Sequence, residues 1–260
     1  MTLTPPPFAT DSGGRDTALV LLHGFGAFHG VWDETICRLG GAIRTIAYDL
    51  PGHGGSLSLP GTRPSASAGL IAADIRQRGV THVHLAGHSM GGAIATLIAL
   101  SAPEPVASLT LLSPGGFGEV INGPLLRRYA EAATPGDIRT CLAAMSAPDF
   151  DLPEQAVEAL QQMRMIPGQT ASLVEIAGMI TRGDRQGEIP RDAICGLPMP
   201  VRIVWGDADP VLPFAQSAGL PPRFEIRRAA GAGHMLIEER PDEVIDLLAA
   251  ATGALRPADS

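Results

Sequence analysis

Residues 85–97, LAGHSMGGAIATL, decide the fold of this chain. An apolar run ends at Gly87 and another begins after Gly92, so the pattern predicts a buried strand followed directly by a helix. Ser89 lies in the turn between them, inside the pattern Gly-x-Ser-x-Gly. Glycine and serine favour neither a strand nor a helix. Their presence indicates that the residues of this turn serve a purpose other than the stability of the strand or the helix.

The composition indicates one globular core, or a core with an inserted subdomain. The chain has 260 residues, a hydrophobic content of 45% and a net charge of −8. An acidic balance argues against a nucleic-acid surface and against docking on anionic lipid. All 19 basic residues are arginine. The absence of lysine excludes lysine Schiff bases, pyridoxal attachment and carrier roles that need a lipoyl or biotinyl lysine.

The cysteines and the N-terminal sequence predict a reduced, cytoplasmic protein. Cys37, Cys141 and Cys195 are far apart and form no Cys-x-x-Cys pair, so neither a zinc site nor a disulfide framework is predicted. Residues 1–14 lack the basic start and apolar stretch of a signal peptide. No apolar run reaches the roughly 18 residues of a membrane span.

Strand and helix patterns alternate along most of the chain. Apolar runs that end in turns predict strands within 18–24, 43–56, 82–89, 106–114, 200–206 and 223–229. Apolar spacing predicts helices over 67–79, 90–102 and 241–252. Such alternation predicts a mostly parallel α/β sheet with helices on both faces.

The alternation stops between about residues 116 and 196, where only helical segments are predicted: 124–133, 135–146, 154–163 and 170–183. We therefore predict an α/β core made of residues 1–115 and 197–260, with residues 116–196 inserted as an all-helical cap. Sheets of this type bind ligands at the carboxyl ends of their strands, so the cap is expected to close over that edge.

Ser89 is the candidate nucleophile. A serine on a sharp strand-to-helix turn pushes its hydroxyl above the sheet edge. Side chains at Gly87 and Gly91 would collide with the neighbouring strand and helix, which explains the two glycines. The helix that begins near Met90 also points its N–H groups toward the serine, where negative charge would develop.

A serine nucleophile needs a base, and the base needs an orienting acid. His234 is the only histidine downstream of Ser89 and follows the last predicted strand. Asp207 and Asp209 follow the preceding strand. We predict Asp209 as the acid, because Asp207 directly follows the strand's terminal glycine and is expected to shape the turn. The alternative position, after the strand at 106–114, offers no carboxylate before Glu119.

The predicted oxyanion hole pairs the N–H of Met90 with that of Phe25, in the turn after the first strand. Gly24 and Gly26 allow the backbone to approach a substrate closely. The Phe25 ring is expected either to line the substrate site or to pack in the core. His23 is interpreted as structural.

Five motifs together resemble the α/β-hydrolase superfamily, most closely small serine esterases and lactonases with a helical cap: HGFG (23–26), DLPGHGGS (49–56), GHSMGG (87–92), GDADPVLP (206–213) and GAGH (231–234). The resemblance implies that Asp209 is the triad acid and that Asp49 shapes a turn. Relatives often begin with an antiparallel hairpin, for which only about 17 residues are available here. Hydrolases that cleave C–C bonds commonly carry Asn where His88 stands, which favours ester substrates.

Four of the eight methionines lie within 116–196. Met145, Met163 and Met179 are candidates, with Phe25, for an adaptable apolar substrate pocket, and core filling is the simpler interpretation. The acidic cap argues against acidic acyl-carrier substrates, so methyl-ester esterases that act on such carriers are only an alternative.

The sequence therefore predicts a carboxylesterase-like serine hydrolase that cleaves a small-molecule ester through an acyl-enzyme. The chemistry needs no metal and no cofactor, and the chain is expected to be a monomer or small homo-oligomer. Alternatives are an enol-lactonase, a thioesterase and a C–C bond hydrolase of the same fold. A ligand-binding receptor on a hydrolase scaffold is the alternative outside enzymes.

Overall fold

A single seven-stranded sheet organises the protein, whose computed structural model describes residues 5–254. The strand order is β1-β3-β2-β4-β5-β6-β7, and every neighbouring pair is parallel except β1 and β3. The strands are β1 (Ala9–Asp11), β2 (Thr17–Leu22), β3 (Arg44–Tyr48), β4 (His82–His88), β5 (Val106–Leu112), β6 (Val201–Gly206) and β7 (Glu225–Ala229).

Ten helices accompany the sheet among the described residues. They are α1 (Asp33–Arg38), α2 (Pro64–Gln77), α3 (Met90–Ser101), α4 (Gly123–Glu131), α5 (Pro135–Met145), α6 (Glu154–Arg164), α7 (Gln169–Ile180), α8 (Arg191–Cys195), α9 (Leu236–Glu239) and α10 (Pro241–Thr252). Within residues 5–254, no helix has the length and apolar character needed to cross a membrane.

The central strands are buried on both faces. In β2, Val20 and Leu22 belong to the larger core cluster, whereas Leu19 and Leu21 belong to a second cluster that also contains Leu248 of α10. Alternate side chains thus enter two apolar layers, which explains why β2 reads as a continuous apolar run. The predicted parallel α/β fold is confirmed.

The differences from the predicted elements are at short segments. Where relatives often have a hairpin, this chain has only β1, three residues that pair antiparallel with β3 at the sheet edge. The sequence pattern missed β1, α1, α8 and α9, which have 3, 6, 5 and 4 residues and are too short to show a periodicity. The helix predicted over 241–252 is α10.

Helices α4 to α8 are inserted between β5 and β6, two strands that pair directly with each other. The side chains of Asn122 and Thr134 accept hydrogen bonds from the first turns of α4 and α5, so polar N-caps set where these helices begin. An antiparallel bridge between Val120 and Arg185 joins two distant parts of the insertion. The division into a core and a cap domain stays a prediction.

Candidate active site

Ser89 occupies a strained turn between β4 and α3. Its φ is 50° and its ψ is −115°, and it is one of two described residues other than glycine with a positive φ. The Ser89 N–H donates to the Leu112 carbonyl at 2.9 Å, and its own carbonyl accepts from the Gly115 N–H at 2.9 Å. Bonds to the end of β5 thus hold a conformation that L-residues rarely adopt, as expected at a functional site.

The flanking glycines are required because backbone atoms approach them closely. A Cβ on Gly87 would collide with the backbone of Gly91, and a Cβ on Gly91 would collide with the carbonyl oxygens of Leu22 and His23. Neither set of atoms belongs to a side chain that can rotate away. The predicted reason for both glycines is therefore confirmed.

Replacing Gly91 by alanine is expected to destabilise the protein by about 3 kcal/mol and to displace the Met90 N–H. Gly69 is a matched control, because it also lies within a helix but has no atom near the position of a Cβ. Gly69→Ala should stabilise the protein by about 0.5–1 kcal/mol. Urea unfolding measures both variants, and equal free energies of unfolding would contradict the clash.

Asp209 and His234 are joined at the carboxyl ends of β6 and β7. The His234 Nδ1 lies 2.8 Å from Asp209 Oδ2, and Asp209 Oδ1 accepts from the N–H groups of Val211 and Leu212, each at 2.8 Å. Burial pushes the pKa of Asp209 up, but the charge and hydrogen bond of His234 and the two amides outweigh it and hold the pKa below its usual value. Asp209 therefore stays ionised and orients the imidazole.

The other carboxylates considered from the sequence lie elsewhere. Asp207 accepts from the Gly231 N–H at 2.7 Å and pairs with Arg228, so it shapes the turn as predicted. Glu119 is exposed and pairs with Arg185.

Ser89 and His234 line the same small chamber, a cavity of about 30 Å³. No hydrogen bond joins these two side chains among those found for residues 5–254. Nucleophile–base hydrogen bonds are often long in ligand-free sites and tighten in the substrate complex. The structure thus brings Ser89, Asp209 and His234 to one edge of the sheet.

The turn at 24–26 is held by two buried neutral histidines. His23 Nδ1 donates to the Gly24 carbonyl at 2.7 Å, and its Nε2 accepts from the Leu50 N–H at 3.0 Å. His53 Nε2 accepts from the Gly26 N–H at 3.1 Å. Burial lowers the pKa of His23 to about 4 and that of His53 to about 3. The structural role predicted for His23 is confirmed.

The N–H groups of Phe25 and Met90 are available as oxyanion donors. Neither donates any of the turn, loop or cap hydrogen bonds found between residues 5 and 254. Met90 is the first residue of α3, where N–H groups have no partner within the helix. Both residues also line a cavity together with Ser89.

His88 connects the serine turn to the histidine loop. Its Nε2 donates to the His234 carbonyl at 2.8 Å, and the two rings lie 4.8 Å apart. A Cβ at Gly24 would come within 2.7 Å of His88 Nδ1. Burial lowers the pKa of His88 to about 3, so the ring is neutral. The sequence suggested only a substrate preference for this residue.

Glu239 anchors the histidine loop to the helical insertion, and nothing in the sequence pattern indicated it. Its buried carboxylate accepts from the N–H groups of Gly233 at 2.8 Å, Met235 at 3.0 Å and Ala147 at 3.0 Å. The His234 N–H donates to the Met145 carbonyl at 2.8 Å. The backbone that carries the imidazole is therefore bound to the end of α5.

A second, larger cavity adjoins Ser89. This large chamber has a volume of about 330 Å³, and its apolar lining includes Leu97, Ile121, Leu126, Met179, Ile180 and Ile189. Phe25, Leu126 and Ser89 line both chambers, so the serine lies at their junction.

The three candidate methionines have different surroundings. Met179 lines the large chamber and Met145 lines the small chamber. Met163 is buried in the core and lines neither of them. Within residues 5–254, no group of three or more potential ligands is placed to hold a metal ion.

Comparison with known proteins supports the same scaffold. The model of the alpha/beta hydrolase family matches residues 19–247. The dihydrolipoyllysine-residue acetyltransferase component of the acetoin cleaving system is 31% identical over 242 residues in Cupriavidus necator and 33% identical over 253 residues in Pseudomonas putida. These matches cover 93% and 92% of this chain but 64% and 67% of the relatives. The chain thus spans about two thirds of their length.

Two solved structures are also similar. A membrane phospholipase A, described as a bacterial virulence factor, has a TM-score of 0.76 and 26% identity, and the match covers 96% of this chain and 83% of that one. A meta-cleavage product hydrolase from Pseudomonas fluorescens has a TM-score of 0.82 and 20% identity, with 94% and 93% covered. At that identity the second likeness concerns the fold alone.

Proposed function

Because this chain belongs to the alpha/beta hydrolase family, we propose that it hydrolyses carboxylic esters through a covalent intermediate on Ser89. His234 is the general base and acid, and Asp209 orients and stabilises it. The N–H groups of Phe25 and Met90 form the oxyanion hole. The observation that carries this proposal is the buried pair of Asp209 and His234 beside a serine held at a φ of 50°.

The reaction has two steps. Ser89 Oγ attacks the ester carbonyl as its proton passes to His234 Nε2, and the two N–H groups stabilise the negative charge on the carbonyl oxygen. The C–O bond to the alcohol then breaks, and His234 returns the proton to the leaving oxygen. Water next loses a proton to His234 and attacks the acyl carbonyl carbon. The bond from this carbon to Ser89 Oγ then breaks, and His234 returns the proton to Oγ as the acid leaves.

We assign one part of the ester to each of the two chambers. The group that protonates the leaving oxygen must lie beside it. His234 lines the small chamber and is absent from the lining of the large one. The alcohol part therefore enters the small chamber, and the acyl part enters the large chamber, whose lining is mostly apolar. The proposed substrates combine a medium-sized apolar acyl group with a short alcohol.

Two isomeric esters test this assignment: methyl hexanoate places five carbons in the acyl tail, and pentyl acetate places them in the alcohol. We expect kcat/KM to be at least about tenfold higher for methyl hexanoate, since each methylene buried in the large chamber contributes about 0.8 kcal/mol. Steady-state rates with the Ser89→Ala variant as the blank measure this. Equal rates would refute the chamber assignment, and no serine-dependent turnover of either ester would refute the function.

Acyl transfer to an acceptor other than water is a second candidate. Two relatives above 30% identity are named as acetyltransferase components, which favours it. Such an acceptor would approach through the small chamber, in place of water. Addition of a short alcohol or thiol during turnover separates the two reactions, because a transferase forms the new ester or thioester in preference to the free acid.

The thioesterase, enol-lactonase and C–C bond hydrolase alternatives differ in the bond that Ser89 attacks. Esters, thioesters and lactones with one common acyl group, assayed at matched concentration, rank the first two against ester hydrolysis. A ring-fission diketone substrate tests the third.

A further inference from the structure

Glu238 is a carboxylate in the small chamber that the proposed mechanism does not use. It lies in α9, four residues after His234, and lines the chamber with Ser89 and His234. Its Oε2 atom is buried and has no hydrogen-bond partner among the described residues. An unpaired buried carboxyl oxygen is destabilising and is rarely retained without a reason.

The neighbouring carboxylates already have separate partners. Asp209 binds His234, and Glu239 accepts three backbone N–H groups. Glu238, a partly buried residue, has no such partner for its Oε2 atom. It is thus the carboxyl group of the small chamber that remains to meet a ligand.

The surroundings of Glu238 favour a hydrogen bond over an ion pair. Burial raises the pKa of Glu238 to about 7, against the opposing effect of a hydrogen bond from its own backbone N–H, and the charge of Glu239 adds to the rise. Near neutral pH the carboxyl is therefore protonated in a large share of molecules. In that state it both donates and accepts hydrogen bonds, which suits a neutral hydroxyl.

The size of the chamber limits what Glu238 can contact. A volume of about 30 Å³ accommodates about two water-sized groups. The leaving oxygen must lie beside His234, so the chamber that Glu238 also lines has room for only the first few atoms of the alcohol. A hydroxyl near the start of the alcohol would therefore share the chamber with the carboxyl.

We propose that Glu238 selects the leaving group by hydrogen bonding to a hydroxyl on a short alcohol, so that the preferred substrates are esters of small diols or polyols. This inference rests on the proposed ester hydrolysis. An unsubstituted alkyl alcohol of equal length would leave the Oε2 atom of Glu238 unpaired and would be the poorer substrate.

Propyl hexanoate and 2-hydroxyethyl hexanoate test the inference, because they differ only by a methyl in place of a hydroxyl. For the wild-type protein we expect kcat/KM to be about tenfold higher for the hydroxyethyl ester. The Glu238→Leu variant should lose this preference or reverse it. The Glu238→Gln variant keeps the size and hydrogen-bonding capacity of the side chain and should retain part of it. Circular dichroism and thermal unfolding establish that both variants are folded.

The outcomes are distinguishable. A wild-type protein that turns over both esters with equal kcat/KM would overturn the inference and leave the proposed function intact. A Glu238→Leu variant that loses activity equally toward both esters would also overturn it, and would indicate that Glu238 positions the attacking water. Absence of Ser89-dependent turnover of either ester would overturn the proposed function and this inference with it.

Discussion

Replacing Ser89 by alanine is expected to lower kcat for ester hydrolysis by about 10⁴-fold or more. The substitution removes the proposed nucleophilic oxygen, while the proposed oxyanion donors and both chambers remain. His234→Ala should have a similar effect, and the double variant should be little worse than either single one, because the two side chains act as a unit. Steady-state kinetics and labelling by a fluorophosphonate probe measure these effects.

The control is the folded state of the Ser89→Ala variant. Alanine is smaller than serine and leaves the bonds of residue 89 to Leu112 and Gly115 in place, because these use backbone atoms. Its urea midpoint should therefore stay near that of the wild type. Residual activity within tenfold of the wild type would contradict the assignment. A ligand that raises the melting temperature without being consumed would favour the receptor alternative instead.

Acidification from pH 6.5 to pH 5 is expected to destabilise the protein through three buried histidines. The pKa values of His23, His53 and His88 fall from 6.5 to about 4, 3 and 3, chiefly by burial. Below pH 6.5 these histidines bind protons in the unfolded chain but not in the folded one. Their contribution to the free energy of unfolding is therefore fully present above pH 6.5 and is lost as the pH falls. At pH 5 the loss is about 2 kcal/mol for each histidine.

Two groups act in the opposite sense. Glu238, with its pKa raised to about 7, favours the folded state as the pH falls, and so does His29, whose pKa is raised by its hydrogen bond to Asp49. The expected net loss between pH 6.5 and pH 5 is about 3 kcal/mol.

Urea unfolding across this range measures the slope of stability against pH. His53→Gln should reduce the slope by about 1.4 kcal/mol per pH unit, because glutamine can still accept from the Gly26 N–H but does not titrate. Equal slopes for the variant and the wild type would contradict the role given to burial.

The fold and the three candidate catalytic residues could be predicted from the sequence because each is marked by a local sequence pattern. A strand buried on both faces is apolar throughout, and an order of Ser89, Asp209 and His234 after successive strands places them at one sheet edge. The assignment of these residues to catalysis stays a prediction until the variants are measured.

The supporting contacts were not accessible, because they join a side chain to backbone that is distant in the chain. His88 bonds to a carbonyl 146 residues away, and Glu239 bonds to an N–H 92 residues away. Such a partner leaves no mark on the local sequence around either residue. The same holds for the methionines: composition placed them in the insertion, but only packing separates Met179, which faces the large chamber, from the buried Met163.

The link between α5 and the histidine loop has a mechanical consequence. Raising the end of α5 to admit a ligand would break the bond from the His234 N–H to the Met145 carbonyl and the bond from Ala147 to Glu239. Displacement of the end of α5 would therefore also release the loop that carries the imidazole, so the proposed base keeps its position only while this helix stays docked.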